Sequence, residues 1–461
     1  MRHLLITLLL VTAATATMRA YDLEVDSIYY NRLSATTVEV TCENTATYNG
    51  VAIGTDSYRD TVVIPETITV DGTDYTVVGI GNRAFYRCSL TGVVIPNTVT
   101  NIAPEAFGEC SALTGIMIPR SVTFIGYDAF RGCPSLTSVK VDESNPVYDS
   151  RDHCNAIIKT ASNELYKGCR TTVIPNTVTR IGNAAFAGDV WMTGIVIPQS
   201  VTAMGNQAFA GCTHMTSLVI PASVTSIGEN AFYVCSRLES IKVEAGNTVY
   251  DSRNDCNAII ETVSNKLIIG CKNTHIPNTV KIIDTNAFSS RYGLTSVIVP
   301  NSVTDIYDFA FADCPDLTSI ELPKSLVSFG RYTLDGSTNI TRIICRATFP
   351  PFAEYLWYYN KTNAEGVSCY KQAKLFVPKE SVTSYKNYPE WRKFQNVIAL
   401  TNAGPGDVTG DGKINITDVT SLISLMLTGD DMPAYADVNN DGVVSIQDIT
   451  ALINKILTGD I

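Results

Sequence analysis

Residues 407–418 read DVTGDGKINITD and residues 437–448 read DVNNDGVVSIQD. Counted from Asp407 as position one, side-chain oxygens fall at positions 1, 3, 5, 9 and 12: Asp407, Thr409, Asp411, Asn415 and Asp418, with Gly412 at 6. The second segment repeats the register with Asp437, Asn439, Asp441, Ser445 and Asp448, and Gly442 at 6. Lys413 and Val443, at position 7, would add backbone carbonyls. An all-oxygen donor set on a flexible loop, with glycine where the chain turns sharply, is the chemistry of a hard cation such as Ca²⁺, which takes about six to eight oxygens. Two loops in matching register predict two ions.

The elements around the loops narrow the reading. LTNAGPG (400–406) and GDDMPAYA (429–436) precede them, and glycine and proline make both poor helices. After each loop a helix is expected, from Val419, Leu422, Ile423 and Met426 and from Ile449, Leu452, Ile453 and Ile456, both spaced i, i+3, i+4, i+7. Each ends in Leu-Thr-Gly-Asp, with the glycine placed as a C-cap. Loop then helix, twice, with Asp rather than Glu at position 12, resembles a dockerin domain over residues 406–461. Thr409 departs from the usual Asn or Asp at position 3. The resemblance implies a cohesin-type partner, contacted among others by loop positions 10 and 11, here Ile416, Thr417, Ile446 and Gln447. Leu425, Leu427 and Leu457 lie off the inward stripes, as a docking face or as core packing against the rest of the chain.

Most of the chain is one repeated sentence. Prolines after an aliphatic residue stand at 65, 96, 119, 175, 198, 221, 277, 300 and 323, and Ala-Phe pairs keep the same beat. The unit is 23 residues, L-x-x-[ILV]-x-[ILV]-P-x-x-[VL]-x-x-I-x-x-x-A-F-x-x-C, as in LTSVIVPNSVTDIYDFAFADCPD at 294–316. Leu294, Val297 and Val299 give the alternation of a short strand, Pro300 ends its pairing, and the phenylalanine fills space between coils. One coil cannot bury its own apolar face, so coils stack. The expected strands are 93–95, 116–118, 139–141, 195–197, 218–220, 241–243, 297–299 and 320–322. The pattern resembles BspA-like bacterial leucine-rich repeats over about residues 64–345. That implies an α/β-type leucine-rich repeat solenoid with a parallel concave sheet, followed by the small all-α dockerin. Residues 21–63 resemble the family's N-terminal cap and 346–400 its C-terminal end, leaving 401–405 as a linker.

Two gaps of 56 residues each hold one repeat plus 33 extra residues, and the extras match: DSRDHCNAIIKTASNELYKGC (149–169) and DSRNDCNAIIETVSNKLIIGC (251–271), 102 residues apart. Each reads as a hairpin turning at Ser-Asn. Cys154 with Cys169, and Cys256 with Cys271, bracket these hairpins, and both a disulfide and free thiols are compatible with the spacing. Cys88, Cys110, Cys133, Cys212, Cys235 and Cys314 lie three residues after a repeat phenylalanine and are expected as a ladder of buried thiols. Asp189 and Arg291 occupy that slot in two repeats. No C-x-x-C occurs and the four histidines do not cluster, which argues against zinc.

The first twenty residues, with Arg2, an apolar run from Leu4 to Val11 and small residues to Ala20, follow the plan of a secretory signal. A secreted or cell-surface protein is therefore expected. Formal net charge is −11, and residues 407–461 alone hold nine Asp against Lys413 and Lys455. The remainder is close to neutral, which argues against a nucleic-acid partner.

In the strands, the positions between buried residues would face a ligand. Their third column holds Val94, Met117, Lys140, Val196, Val219, Lys242, Ile298 and Glu321, and the aliphatic members Val94, Met117, Val196, Val219 and Ile298 are candidate contacts for a host or bacterial surface protein or a glycan. No catalytic constellation stands out: GIGNRAF (79–85) lacks the third glycine of a dinucleotide fingerprint, and no carboxylate pair is singled out. EYLWYYN (354–360) reads as sugar-stacking aromatics or as cap core. The expected function is a non-catalytic interaction protein, with a component of a polysaccharide-degrading complex as the alternative.

Overall fold

The computed structural model describes residues 21–43, 46–48, 51–53, 58–358, 362, 366–400, 405–408, 414–428, 434–439 and 443–458. The expected signal segment lies outside them. The chain divides into two compact units, Met1–Cys235 and Ser236–Ile461.

In the first unit an antiparallel meander, Leu23–Val25, Ile28–Arg32 and Thr37–Thr41, pairs in parallel with Thr73–Ile80. The coils follow. Arg59–Val63 pairs with Ser89–Val94, and Gly115–Ile118 with Ser138–Val141, both in parallel. Ile116, Ile118, Val139 and Val141 are buried while Met117 and Lys140 between them are exposed, the alternation expected of these strands. Residues 195–197 do not form the expected strand. A ladder needs a paired neighbour, and residues 172–174, one repeat earlier, are also irregular.

A second parallel ladder runs, apart from the expected hairpin, where the sequence signalled no strand. Thr73–Ile80, Asn101–Ile102 and Phe124–Ile125 form one stretch of it, and Glu164–Lys167, Arg180–Ile181, Ala203–Met204 and Ser226–Ile227 another. The two-residue strands carry the isoleucine of V-x-x-I, or Met204 in its place, and two residues are too few to show an alternation. Between the ladders stack the phenylalanines. Phe85, Phe107 and Phe130 lie 5.0 and 5.3 Å apart, and Phe186, Phe209 and Phe232 lie 5.1 and 5.5 Å apart, with planes within 8° of parallel.

The thiol ladder is present. Cys110, Cys133, Cys212 and Cys235 donate to the carbonyls of Phe85, Phe107, Phe186 and Phe209, each one coil back, at 2.8, 3.1, 3.4 and 3.3 Å. Burial pushes Cys133 up to about 11 and also raises Cys110 and Cys212 well above the ordinary thiol range. Asp189, in the same slot, is 4% exposed and its Oδ1 has no hydrogen-bond partner among the described residues. Burial raises its carboxyl to about 6, against the pull of Lys167 and Arg170.

The first insertion is the expected hairpin, Ile157–Lys159 against Glu164–Lys167, whose second strand joins the short ladder. Arg151 clamps its base, with Nε on Asp149 Oδ1 (2.7 Å), Nη2 on Oδ2 (2.6 Å) and Nη1 on Asn163 Oδ1 (2.7 Å). Burial opposes charge on Asp149, yet the guanidinium and the Thr160 hydroxyl hold its carboxyl below the usual range. Gly168 is required here, because an added Cβ would fall 2.2 Å from the Phe186 ring.

The second unit repeats this plan. Ala258–Glu261 and Lys266–Gly270 form the hairpin, and Arg253 holds Asp251 and Asn265 at 2.7, 2.6 and 2.6 Å. Lys266–Gly270, Ile282–Ile283, Asp305–Ile306, Ser328–Phe329 and Phe352–Ala353 form this unit's own short parallel ladder. Ser296–Ile298, Ser319–Leu322, Arg342–Cys345, Lys374–Pro378 and Asn396–Leu400 form the other sheet. Cys314 donates to the Phe288 carbonyl at 3.0 Å. Arg291, fully buried in its slot, donates to the Gly270 and Ser289 carbonyls at 2.8 and 3.1 Å. Of the described part of EYLWYYN, Leu356 and Trp357 are buried, with Trp357 against Tyr370 and Phe394, whereas Tyr355 and Tyr358 are exposed. All thirteen cysteines are buried free thiols. Cys169 turns to the Asn155 carbonyl and the Thr171 hydroxyl, and Cys271 to the Glu239 and Asn257 carbonyls, so neither hairpin is bridged.

Candidate calcium centre and docking face

Helices Ile416–Thr428 and Ile446–Thr458 follow the two acidic loops as expected, and Ala434–Ala436 before the second loop is only a 3₁₀ turn. Each helix starts at loop position 10 because positions 9 and 12 cap it. The Asn415 amide donates to Asp418 Oδ2 at 2.8 Å, while Asn415 Oδ1 accepts the Thr417 amide at 2.8 Å. The Ser445 amide donates to Asp448 Oδ2 at 2.8 Å, and Ser445 Oγ accepts the Gln447 amide at 3.3 Å. These are close to capping boxes with Asp in the place of Glu, the N-cap side chain accepting the second rather than the third helical amide. Asp448 does more: its Oδ1 accepts the amides of Val438 at 2.7 Å and Asn439 at 3.2 Å, so one carboxylate ties the start of the loop to the start of the helix. Burial disfavours its charge, but those amides together hold the carboxyl below its ordinary range.

Asp407, Asp418 and Asp448 are 1%, 0% and 0% exposed. Thr409, Asp411, Lys413 and Asp441, with both loop glycines and the Gly-Asp ends of both helices, lie outside the described residues. Among the described residues no three His, Cys, Asp or Glu side chains converge as a metal cluster. The donors that are described nevertheless suit a hard cation. They are all oxygens, and carboxylates buried this fully are costly without compensating charge or hydrogen bonds.

The core between the two halves is Val408, Val419, Leu422, Ala436, Val438 and Leu452. Val408 and Val438 both stand at loop position 2, and Leu422 and Leu452 are equivalent helix positions. The Gly406 amide donates to the Tyr435 carbonyl at 2.9 Å, and Lys455 Nζ to the Pro405 carbonyl at 3.1 Å, closing the halves on each other. The expected stripes need correction. Ile423 and Ile453 are 38% and 39% exposed, whereas Leu425 packs against the core, so the buried face is rotated from the sequence reading. Sequence spacing gives a stripe, but only the partner helix decides where its centre falls. Ile416, Thr417, Ile446 and Gln447 are all exposed, as are Leu427 and Leu457. In the repeats, Val94, Met117, Val196, Val219 and Ile298 are exposed as well.

The family described as "BspA type Leucine rich repeat region" matches in six copies, over residues 73–154, 159–265 and 261–370. The chain belongs to that family. Residues 405–457 of this BspA type chain match the dockerin type I domain, a calcium-binding module whose partner is a cohesin. None of the curated proteins matches. Among solved structures it is similar to a leucine rich cell surface protein from Faecalibacterium prausnitzii, at 25% identity, TM-score 0.48, covering 84% of this chain and 96% of that one. It is also similar to a leucine-rich repeat protein from Bacteroides ovatus, at 23% identity, TM-score 0.37, covering 86% and 93%. The repeat array and the dockerin make the BspA type chain a protein-interaction module, and no catalytic domain is found in it. No helix among the described residues is long and apolar enough to cross a membrane.

Proposed function

We propose that this is a secreted, non-catalytic display protein. Its dockerin docks onto a cohesin-bearing partner in a calcium-dependent way, and its repeats contact a surface protein or glycan. The observation that carries the docking half is the exposure of Ile416, Thr417, Ile446 and Gln447 at the first turns of two helices whose cores are otherwise buried. Each loop would hold one ion, through Asp407, Thr409, Asp411, Lys413, Asn415 and Asp418 in the first and Asp437, Asn439, Asp441, Val443, Ser445 and Asp448 in the second. A bound ion supplies positive charge to carboxylates that otherwise repel. The chain's own part is to fix the first helical turn: Asp448 joins the loop amides to the Ser445 cap and so sets the direction in which Ile446 and Gln447 project. For the repeats, support comes from the exposed aliphatic column beside threonine and serine hydroxyls.

The test is calorimetric titration of the mature chain with Ca²⁺, followed by binding to a panel of recombinant cohesin modules with and without EDTA. Two ions per chain and EDTA-sensitive binding are expected. Asp448→Ala should lose cohesin binding while the β-sheet circular dichroism of the array persists. Equal cohesin binding in EDTA would refute the docking role, and hydrolysis of any glycan in an activity screen would refute the non-catalytic one.

A further inference from the structure

In the first unit a cleft of about 1020 Å³ lies between the strand Ser138–Val141 and the base of the hairpin insertion, lined by 137–144 on one side and by 149–153 and Asn155 on the other. The Ser138 and Asp142 amides donate back to the Thr114 and Ile118 carbonyls of the preceding coil. Backbone groups in a strand alternate sides, so the amides of Val139 and Val141 face the other way, toward the insertion. The side chains of Val139 and Val141 are buried, and what these residues present to the cleft is backbone.

The insertion covers only the first slot of this edge. Asn155 imitates a paired strand there: its Oδ1 accepts the Val139 amide at 2.6 Å and its Nδ2 donates to the Thr137 carbonyl at 2.6 Å. The next slot, the Val139 carbonyl and the Val141 amide, opens onto the cleft, and no described group accepts from the Val141 amide. In the duplicate insertion 102 residues on, the corresponding Val243 amide donates to Ser252 Oγ at 2.9 Å, so that slot is filled. The same lining holds four carboxylates, Asp142, Glu143, Asp149 and Asp152, against two cations, of which Arg151 is already paired with Asp149.

We propose that this cleft binds an extended, basic polypeptide segment, which adds as a strand to the Ser138–Val141 edge and sets its basic side chains against Asp142, Glu143 and Asp152. Backbone pairing supplies the register and the acidic rim the charge preference, as in other cases of strand addition. A glycan would not pair with the edge as a strand does, and the cleft lining holds no Phe, Tyr or Trp on which a sugar would stack. The proposal rests on the repeats acting as a contact region, but it is independent of the dockerin.

The test uses the full mature chain in EDTA and a fluorescein-labelled hexapeptide alternating valine and lysine, read by anisotropy. One peptide per chain is expected. Methylating the alternate backbone nitrogens of the peptide should weaken binding by about five- to tenfold, the loss of one hydrogen bond or more. Val141→Pro, which removes an outward amide at an edge position where proline is tolerated, should do the same with unchanged circular dichroism. A double change of Asp142→Asn with Glu143→Gln should weaken the lysine peptide, and a glutamate analogue of the peptide should not bind. Equal binding by the methylated peptide, no binding of the parent at millimolar concentration, or displacement by neutral oligosaccharides would each overturn strand addition. Because calcium is absent throughout, failure here is distinguishable from failure of cohesin docking.

Discussion

Asp189→Asn isolates the energetic consequence of placing a carboxylate in the thiol slot of the stack. Asp189 is 4% exposed, and burial is the largest influence on its carboxyl, raising it from 3.8 to about 6. The folded state therefore binds the Asp189 proton more tightly than the unfolded chain does. Below pH 3.8 the group is protonated in both states and has no effect. As pH rises from there through about 6, the unfolded chain ionises first and folding stability is lost; above 6 the loss is constant. About two pKa units at ~1.4 kcal/mol each put the full loss at about 2–3 kcal/mol. The asparagine amide is nearly isosteric and does not ionise, so its own fit shifts stability by an amount independent of pH. Urea unfolding of both proteins between pH 4 and pH 7.5, followed by tryptophan fluorescence with Trp191 two residues away, gives the difference directly. The variant should gain about 2–3 kcal/mol relative to the parent between these limits, most of it before pH 6.5. A difference that stays flat with pH would show that Asp189 is solvated or fully paired in solution, and would refute the reasoning.

Other consequences follow from the stack. Phe209 is fully buried between Phe186 and Phe232, so Phe209→Ala should destabilise the array by about 3–5 kcal/mol in the same urea assay, and a loss under 1 kcal/mol would count against the ring spine. The ladder thiols are enclosed and hard to ionise, with Cys133 and Cys314 raised to about 11 by burial. Iodoacetamide at pH 8 should therefore leave Cys110, Cys133, Cys212 and Cys235 unlabelled in the native chain and label all four in urea; adjacent pairs found oxidised by mass spectrometry would overturn this. Arg151→Ala should loosen the first hairpin, because the guanidinium spans Asp149 and Asn163, and hydrogen exchange should speed up at 157–167 but not at 258–270, where Arg253 plays the same part.

The repeat, its strand phase and its stacked phenylalanines were legible in the sequence because identical coils must bury identical positions. A 23-residue beat repeated along the chain leaves no other way to cover its aliphatic face. The dockerin was legible for a related reason: its loop pattern, oxygen-bearing residues at fixed spacing around a glycine, is local in sequence. The helices after the loops followed from residues three and four apart. Other features depended on which segments the fold brings side by side. The two-residue ladder at the isoleucines exists only because a neighbouring coil offers it a partner, and the absence of a strand at 195–197 fits the irregular segment one repeat earlier. Which helix stripe is buried, Leu425 rather than Ile423, was decided by the partner helix. The state of the hairpin cysteines was likewise settled only by the folded hairpin, where Cys154 turns to the Ala156 carbonyl and Cys169 to the Asn155 carbonyl rather than to each other. Asn155 looked like one more polar residue in an inserted loop, and only the folded chain sets it against the Val139 amide at a sheet edge. Periodic burial and local ligand spacing are written along the chain, whereas pairing between segments is a property of the fold as a whole, because each hydrogen bond across an edge needs a partner from elsewhere in the sequence.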